Sequence, residues 1–97
     1  MKIEIGDDLL KEIAKKAVEE WGAEVQTKMA IEEMAELIVA LNHYDRGRIT
    51  LEEVASEIAD VKIMMEQLEY IIDKKAEKEL VREQEEYKKS RLAKMLE

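Results

Sequence analysis

The chain of 97 residues is long enough for one domain, 1–97, whose modest core an oligomer would enlarge. It contains no cysteine, which excludes a disulfide framework and thiolate chemistry. Its formal net charge is −8, with acidic and basic residues interspersed, and this argues against a nucleic acid polymer as partner because binding to a phosphate backbone needs a basic surface. An anionic substrate is still compatible with this charge if a divalent cation bridges the two.

The composition favours helices and a cytoplasmic setting. There is no proline, no phenylalanine and only three glycines, and helix-forming Ala, Leu, Ile, Met, Glu and Lys dominate. No apolar run is long enough to span a bilayer, and the start of the chain lacks the pattern of a signal peptide. The expectation is an all-α protein of the cytoplasm with no membrane partner.

The first half of the chain predicts two helices separated by a glycine. The first covers about Asp8 to Trp21, where apolar residues recur at helical spacing, and Asp7 suits its N-terminus. Gly22 breaks this pattern, and the second helix covers about Ala23 to His43. The polar stretch "NHYDRGRI" that follows is a connection that turns at its glycine.

The second half predicts one long helix or two shorter ones. The third helix covers about Thr50 to Asp73 and begins with "TLEE", a capping box in which Thr is followed three residues later by Glu. The charge-rich "DKKAEKE" permits a break, after which a fourth helix would cover about Ala76 to Leu96; a continuous third helix is equally compatible. The pattern indicates a bundle of about four helices, with a simple coiled coil as a minor alternative.

Several acidic residues fall where a core is expected. With a rotation of 100° per residue, Glu33 and Glu36 fall within or beside the apolar arc of the second helix, whereas Glu32 lies about a quarter turn towards solvent. On the third helix Glu57 falls inside the apolar arc and Asp60 at its edge. Each pair is spaced i, i+3, which places both side chains on one face. Because a short loop joins the two helices, they should pack antiparallel and bring the four carboxylates together.

Four ionised carboxylates sharing a partly buried site need compensation, since burial and mutual repulsion both disfavour their charge. The remedies are raised pKa values or bound cations. Ligands that offer only oxygen suit Mg²⁺ or Mn²⁺, whereas a zinc or di-iron site would recruit histidine, and the single histidine, His43, lies outside the cluster. A single acidic pair at this spacing is usually a solvated surface feature, so both interpretations are open on the residues alone.

At these residues the chain resembles a known family. Glu32-Glu33-x-x-Glu36, then twenty residues, then Glu57-x-x-Asp60 resembles the EExxE…ExxD signature of the MazG-like all-α nucleoside triphosphate pyrophosphohydrolases. The flanking "WGAEVQTKMAIEEMAELIVAL" and "EIADVKIMMEQLEYI" are similar to the small, single-domain members often carried by phages. The basic, leucine-bearing tail "KKSRLAKML" also resembles the end of such proteins.

The resemblance implies an antiparallel helical bundle assembled as a homodimer or homotetramer, the latter a dimer of dimers. It implies Mg²⁺-dependent hydrolysis of a nucleoside triphosphate to the monophosphate and pyrophosphate, with Mn²⁺ as a substitute. Glu33, Glu36, Glu57 and Asp60 match the family's Mg²⁺ ligands, and Glu32 matches the residue that orients or activates the attacking water. The motif does not distinguish the base or sugar, nor nucleotide housecleaning from control of one nucleotide pool.

Two glutamines and a tryptophan are candidate substrate-binding residues. Gln26 lies two turns before Glu33 and Gln67 two turns after Asp60, so each amide lies on the face of the acids, where it would contact a base edge or cap the core. Trp21 is a candidate for stacking on a base, although a lone Trp at the end of an amphipathic helix is more often core.

The remaining candidates for substrate binding lie on the last predicted helix. Lys88 and Arg91 on the last helix would reach phosphates, in a neighbouring subunit or in their own, although such residues are more often a solvated face. His43 fits a surface histidine better than a general base. Met29, Met34, Met64 and Met65 are expected in the core. Two rival functions remain, a catalytically silent nucleotide-binding relative and a structural helical bundle.

Overall fold

A computed structural model describes residues 2–97, and within that range the chain forms helices and no strand. Four helices follow one another along these residues: α1 (Asp7–Trp21), α2 (Ala23–Asp45), α3 (Leu51–Ala76) and α4 (Leu80–Met95). The predicted all-α class is confirmed, and the observed ends lie within four residues of the predicted ones.

A single glycine separates α1 from α2. Gly22 has a φ of 95°, a conformation that side chains with a Cβ rarely adopt, and its N–H donates to the Val18 carbonyl at 2.8 Å. Its own carbonyl accepts from the N–H of Gln26 at 3.1 Å, so Gly22 ends one helix and starts the next. The predicted break at this residue is confirmed.

The connection between α2 and α3 is a tight turn followed by a strong helix start. Gly47 has a φ of 70°, and the N–H of Arg48 donates to the His43 carbonyl at 2.8 Å, which closes the turn. The predicted capping box is present: Glu53 N–H donates to Thr50 Oγ1 at 3.2 Å, and Thr50 N–H donates to Glu53 Oε2 at 3.3 Å. The chain therefore reverses direction within residues 46–50.

The pairing of α2 with α3 is antiparallel and forms the most extensive helix interface of the described chain. Gln26 meets Gln67, and ten residues further along α2 Glu36 meets Glu57, ten residues earlier on α3. This opposite progression is the signature of an antiparallel register. Helix α1 packs mainly on α3 and less on α2.

Helices α3 and α4 are separate, which decides between the two alternatives that the sequence left open. Glu77 adopts the left-handed conformation at φ 58°, and the N–H of Lys78 donates to the Asp73 carbonyl at 3.3 Å. Asp73 Oδ1 then accepts from the N–H of Val81 at 3.0 Å, in the first turn of α4. The fourth helix begins at Leu80 rather than at Ala76 because these bonds hold residues 77–79 in a turn.

The core is small for a chain of this length. No large side chain within residues 2–97 is fully buried, and the buried apolar residues are Ala14, Val18, Ala30, Ala40, Val54, Met64 and Ile71. Met64 lies in the core as expected and Met34 is half-buried, but Met29 and Met65 are each 41% exposed, so the expectation that these two are core is wrong.

Helix α3 leaves a second apolar stripe exposed. Leu51, Ile58, Met65 and Ile72 follow one another at intervals of seven residues, and all four are exposed. The Cα radius of gyration is 15.7 Å, above the roughly 13 Å typical of a compact chain of 100 residues. The chain is therefore extended and its apolar surface is incompletely covered.

Among residues 2–97, no helix combines the length and the apolar character that crossing a bilayer requires.

Candidate metal centre

Three carboxylates from two helices meet at one place. Glu33 and Glu36 come from consecutive turns of α2, and Glu57 faces them from α3. One carboxylate oxygen of each lies within 4.8 Å of those of the other two. These side chains share one site because the i, i+3 spacing aligns the α2 pair and the antiparallel register places Glu57 opposite.

Two of these carboxylates have an oxygen that is both buried and without a partner. Glu33 Oε2 and Glu57 Oε2 are shielded from water and accept no hydrogen bond within residues 2–97. Buried polar atoms are almost always satisfied in native proteins, so each exception calls for an explanation. A bound cation is one such explanation, since it would supply the missing positive charge to both oxygens at once.

The electrostatics of the site are those of crowded negative charge. Burial raises the pKa of Glu33 above its ordinary value, and the nearby charges of Glu36, Asp60 and Glu57 raise it further. The pKa of Glu57 is raised in the same way, first by burial and then by Glu36 and Asp60. Without a cation, this site therefore holds protons more tightly than an ordinary glutamate does.

Asp60 and Glu32 lie outside the group of three. Asp60 is exposed, and its charge acts on Glu33 and Glu57 without its oxygens joining the close contact. Glu32 is exposed on α2, one residue before Glu33, in agreement with its predicted position towards solvent. The structure thus brings together three of the four predicted ligands and leaves the fourth nearby.

The donor set fits a hard divalent cation. It consists of carboxylate oxygens alone, the ligands that Mg²⁺ and Mn²⁺ prefer, and two of them lack any other partner. Mg²⁺ is usually held by one or two carboxylates together with water and substrate phosphates. An open group of three carboxylates leaves room for both.

An apolar cleft that the sequence did not predict adjoins the carboxylates. Its volume is about 440 Å³, and it runs from the acids towards the turn between α2 and α3. Its lining consists of Ala35, Glu36, Val39, Ala40, His43, Ile49, Glu53 and Glu57. His43 is half-buried in this lining rather than fully on the surface. Its position seven residues after Glu36, on the same face of α2, was the signal that would have placed it there.

The two predicted glutamines meet each other in the core. Gln26 Nε2 donates to Gln67 Oε1 at 2.6 Å, and Gln67 Nε2 donates to Met64 Sδ at 3.7 Å. Both residues are buried. Of the two roles that the sequence left open, contact with a base edge and capping of the core, the burial and the mutual hydrogen bond favour the second.

The other candidate substrate-binding residues do not join this site. Trp21 is 61% exposed at the end of α1, so the expectation that it is core is wrong, and nothing in its surroundings shows what it stacks on. Lys88 and Arg91 are exposed on α4, which packs on α3 and has no buried residue. Their predicted contact with phosphates stays a prediction.

Comparison with known proteins adds nothing to this geometry, because no family model, no curated protein and no solved structure matches the chain.

Proposed function

We propose that the chain is a Mg²⁺-dependent hydrolase of the MazG-like kind, which converts a nucleoside triphosphate to the monophosphate and pyrophosphate. The observation that carries the proposal is the pair of buried, partnerless oxygens on Glu33 and Glu57 within a close group of three carboxylates. The two-part acidic motif, to which all members of this group belong, supports it.

The chain's own residues would divide the work by position. Glu33, Glu36 and Glu57 would hold the cation, and the nearby Asp60 would complete the set. Bound Mg²⁺ supplies positive charge to the triphosphate oxygens and lowers the pKa of a bound water. Glu32, exposed beside the group, would orient the attacking water by accepting a hydrogen bond from it, or activate the water by taking one of its protons.

A purely structural role fits the site less well. Apolar residues of similar volume usually serve stability as well as, or better than, buried charged groups. Here the carboxylates repel one another, and two of their oxygens lack hydrogen bonds. Both features destabilise the folded state unless a cation binds to the carboxylates. Conflicts of this kind between stability and residue choice are typical of functional sites.

The proposed enzyme is a homodimer or homotetramer of the cytoplasm. Its support is the exposed stripe of Leu51, Ile58, Met65 and Ile72 on α3, whose spacing of seven residues is that of helices packed side by side. An antiparallel helix pair with a spare apolar face is half of a four-helix bundle, and a second copy on a two-fold axis would complete it.

The decisive experiment measures pyrophosphate release from a panel of NTPs and dNTPs with Mg²⁺. Glu33→Gln and Asp60→Asn should each reduce the release by about 100-fold or more, because loss of even an outer-shell group at a metal site typically costs 10–100-fold. Glu52→Gln, an exposed acid on the same helix as Asp60, is the matched control and should behave as the parent. Unchanged release by both site variants would contradict the proposal.

Metal titration separates the two rival functions. A cation that binds only the folded protein stabilises it by about 2.7 kcal/mol at 100 times its Kd. The proposed enzyme and a silent nucleotide-binding relative should both show this stabilisation, and pyrophosphate release then distinguishes them. A structural bundle should unfold at the same temperature with and without Mg²⁺, and the parent should then release no pyrophosphate.

A further inference from the structure

The apolar cleft beside the carboxylates is open to solvent and has the volume of a small-molecule site. Its volume of about 440 Å³ lies within the range of roughly 300–1,000 Å³ typical of ligand pockets. Four of its lining residues are small or aliphatic: Ala35, Val39, Ala40 and Ile49. Pockets of this kind bind the uncharged part of a ligand, while a few polar groups at the ends fix its orientation.

The walls of the cleft are held by local structure on both sides. On α2, Ala35, Val39 and His43 are spaced four residues apart and line one face of the helix. The opposite wall includes Ile49, and the bond from Arg48 N–H to the His43 carbonyl fixes the turn that carries it. The cleft is thus built before any ligand arrives.

The charges around the cleft suit the phosphates of a nucleotide at one end and its uncharged base elsewhere. Glu36 and Glu57 lie at the end shared with the carboxylate group, where a cation would attract phosphates. Glu53 also lines the cleft, so an unaccompanied anion would be repelled from it. A flat, uncharged aromatic ring is compatible with the apolar walls, and the half-buried imidazole of His43 offers a surface on which it can stack.

We propose that this cleft binds the nucleobase of the substrate and that His43 is the residue on which the base stacks. The inference rests on the proposed function for the position of the triphosphate at the carboxylates. It assigns His43 a binding role and no part in proton transfer.

The single histidine makes the test direct, since the imidazole protons of His43 give one unique set of NMR signals in the full chain. The protein is titrated at constant pH with Mg²⁺ and α,β-methylene-ATP or α,β-methylene-CTP, which keep the base and cannot be cleaved between the α and β phosphates. Inorganic tripolyphosphate with Mg²⁺ is the base-free counterpart. Stacking predicts an upfield ring-current shift of the His43 signals with both nucleotides and not with tripolyphosphate. Equal shifts with all three ligands, or no shift, would overturn the proposal.

A matched pair of substitutions tests the cleft itself. Ala35→Leu fills it from an exposed helical position, whereas Ala59→Leu makes the same change at an exposed position on α3 outside the lining. Ala35→Leu should remove the ring-current shift and raise the KM for nucleotides about tenfold or more, as expected for a lost base-stacking contact. Ala59→Leu should match the parent. A parent-like KM and shift in Ala35→Leu would overturn the proposal.

The NMR shift and pyrophosphate release report separately on the cleft and on the reaction. Pyrophosphate release with unmoved His43 signals would leave the enzyme standing and remove the base from this cleft. A ring-current shift that Ala35→Leu abolishes, without pyrophosphate release from any nucleotide, would leave the cleft as a base-binding site in a protein that is not this enzyme.

Discussion

At the residue scale, the informative feature is the conflict that Glu33 and Glu57 create inside the fold. Each has a carboxylate oxygen buried without a partner, and burial together with neighbouring acids raises the pKa of both. A raised pKa in a carboxyl group means that the folded state binds its proton more tightly than the unfolded chain does. Stability from this source is complete below the ordinary glutamate pKa and is lost as the pH rises through the raised value.

In the metal-free protein, replacing either carboxyl group should change how the melting temperature depends on pH. Glu33→Gln and Glu57→Gln each remove one ionising group. In EDTA, the melting temperature of each variant relative to that of the parent should therefore increase as the pH rises from about 4.5 to 7. For Glu52→Gln, at an exposed position, the difference in melting temperature from the parent should change less with pH. Thermal unfolding across this range checks the prediction. If the difference in melting temperature between the parent and both site variants is the same at every pH, folding does not shift the pKa of either carboxyl group.

Excess Mg²⁺ at pH 7 should reverse the order, because the parent then gains binding energy that the variants have lost. Metal affinity should also rise with pH, since a cation must displace the protons that these two carboxyl groups hold. An affinity for Mg²⁺ that does not change with pH would argue against Glu33 and Glu57 as ligands.

At the element scale, the buried hydrogen bond between Gln26 and Gln67 joins α2 to α3. It lies ten residues from the contact between Glu36 and Glu57 along each helix. The two amides are 2.6 Å apart and both residues are buried. Sliding one helix along the other would break this bond and leave amide groups unsatisfied. The pair therefore favours the register in which Glu57 faces Glu33 and Glu36.

A double-mutant cycle measures this coupling. Gln26→Leu or Gln67→Leu alone should reduce the free energy of unfolding by about 1–3 kcal/mol, because each leaves the remaining amide buried without its partner. The double variant should lose less than the sum of the two, since no unpaired amide is left. Urea unfolding gives the three values. Simple additivity would show that the hydrogen bond contributes nothing specific.

At the scale of the whole molecule, the described chain buries few side chains and has an extended shape. No large side chain in residues 2–97 is fully buried, the radius of gyration is 15.7 Å, and α4 has no buried residue. A small core of this kind gains from association with a second copy. The exposed stripe on α3 is the surface for which an oligomer is proposed.

The stripe gives a prediction about assembly. Ile58→Glu places a charge within the stripe and should shift the protein to monomer, with a lower melting temperature. Ile63→Glu makes the same change at a similarly exposed isoleucine of α3 that lies off the stripe, at 49% exposed against 41%, and should leave the assembly intact. Sedimentation velocity measures the mass of each. A parent that is monomeric, or an Ile58→Glu variant with the mass of an oligomeric parent, would contradict the proposed interface.

The sequence by itself determined the helices and the direction in which their acids face. Gly22, the capping box at Thr50 and the 3.6-residue period are local features, and a helix is specified by local geometry, so these were predictable. The inward placement of Glu33 and Glu57 followed from the same period. The sequence left open whether the chain breaks after Asp73, because charge-rich segments are compatible with both a turn and a continuous helix.

Only the tertiary structure decided which side chains meet. The register of α2 against α3 depends on packing along both helices at once. It brings Glu33 and Glu36 of α2 close to Glu57 of α3. The same register pairs the two glutamines with each other. The cleft at His43 required in addition the turn that brings Ile49 near it. These contacts join residues far apart in the chain, and local patterns specify faces but not partners.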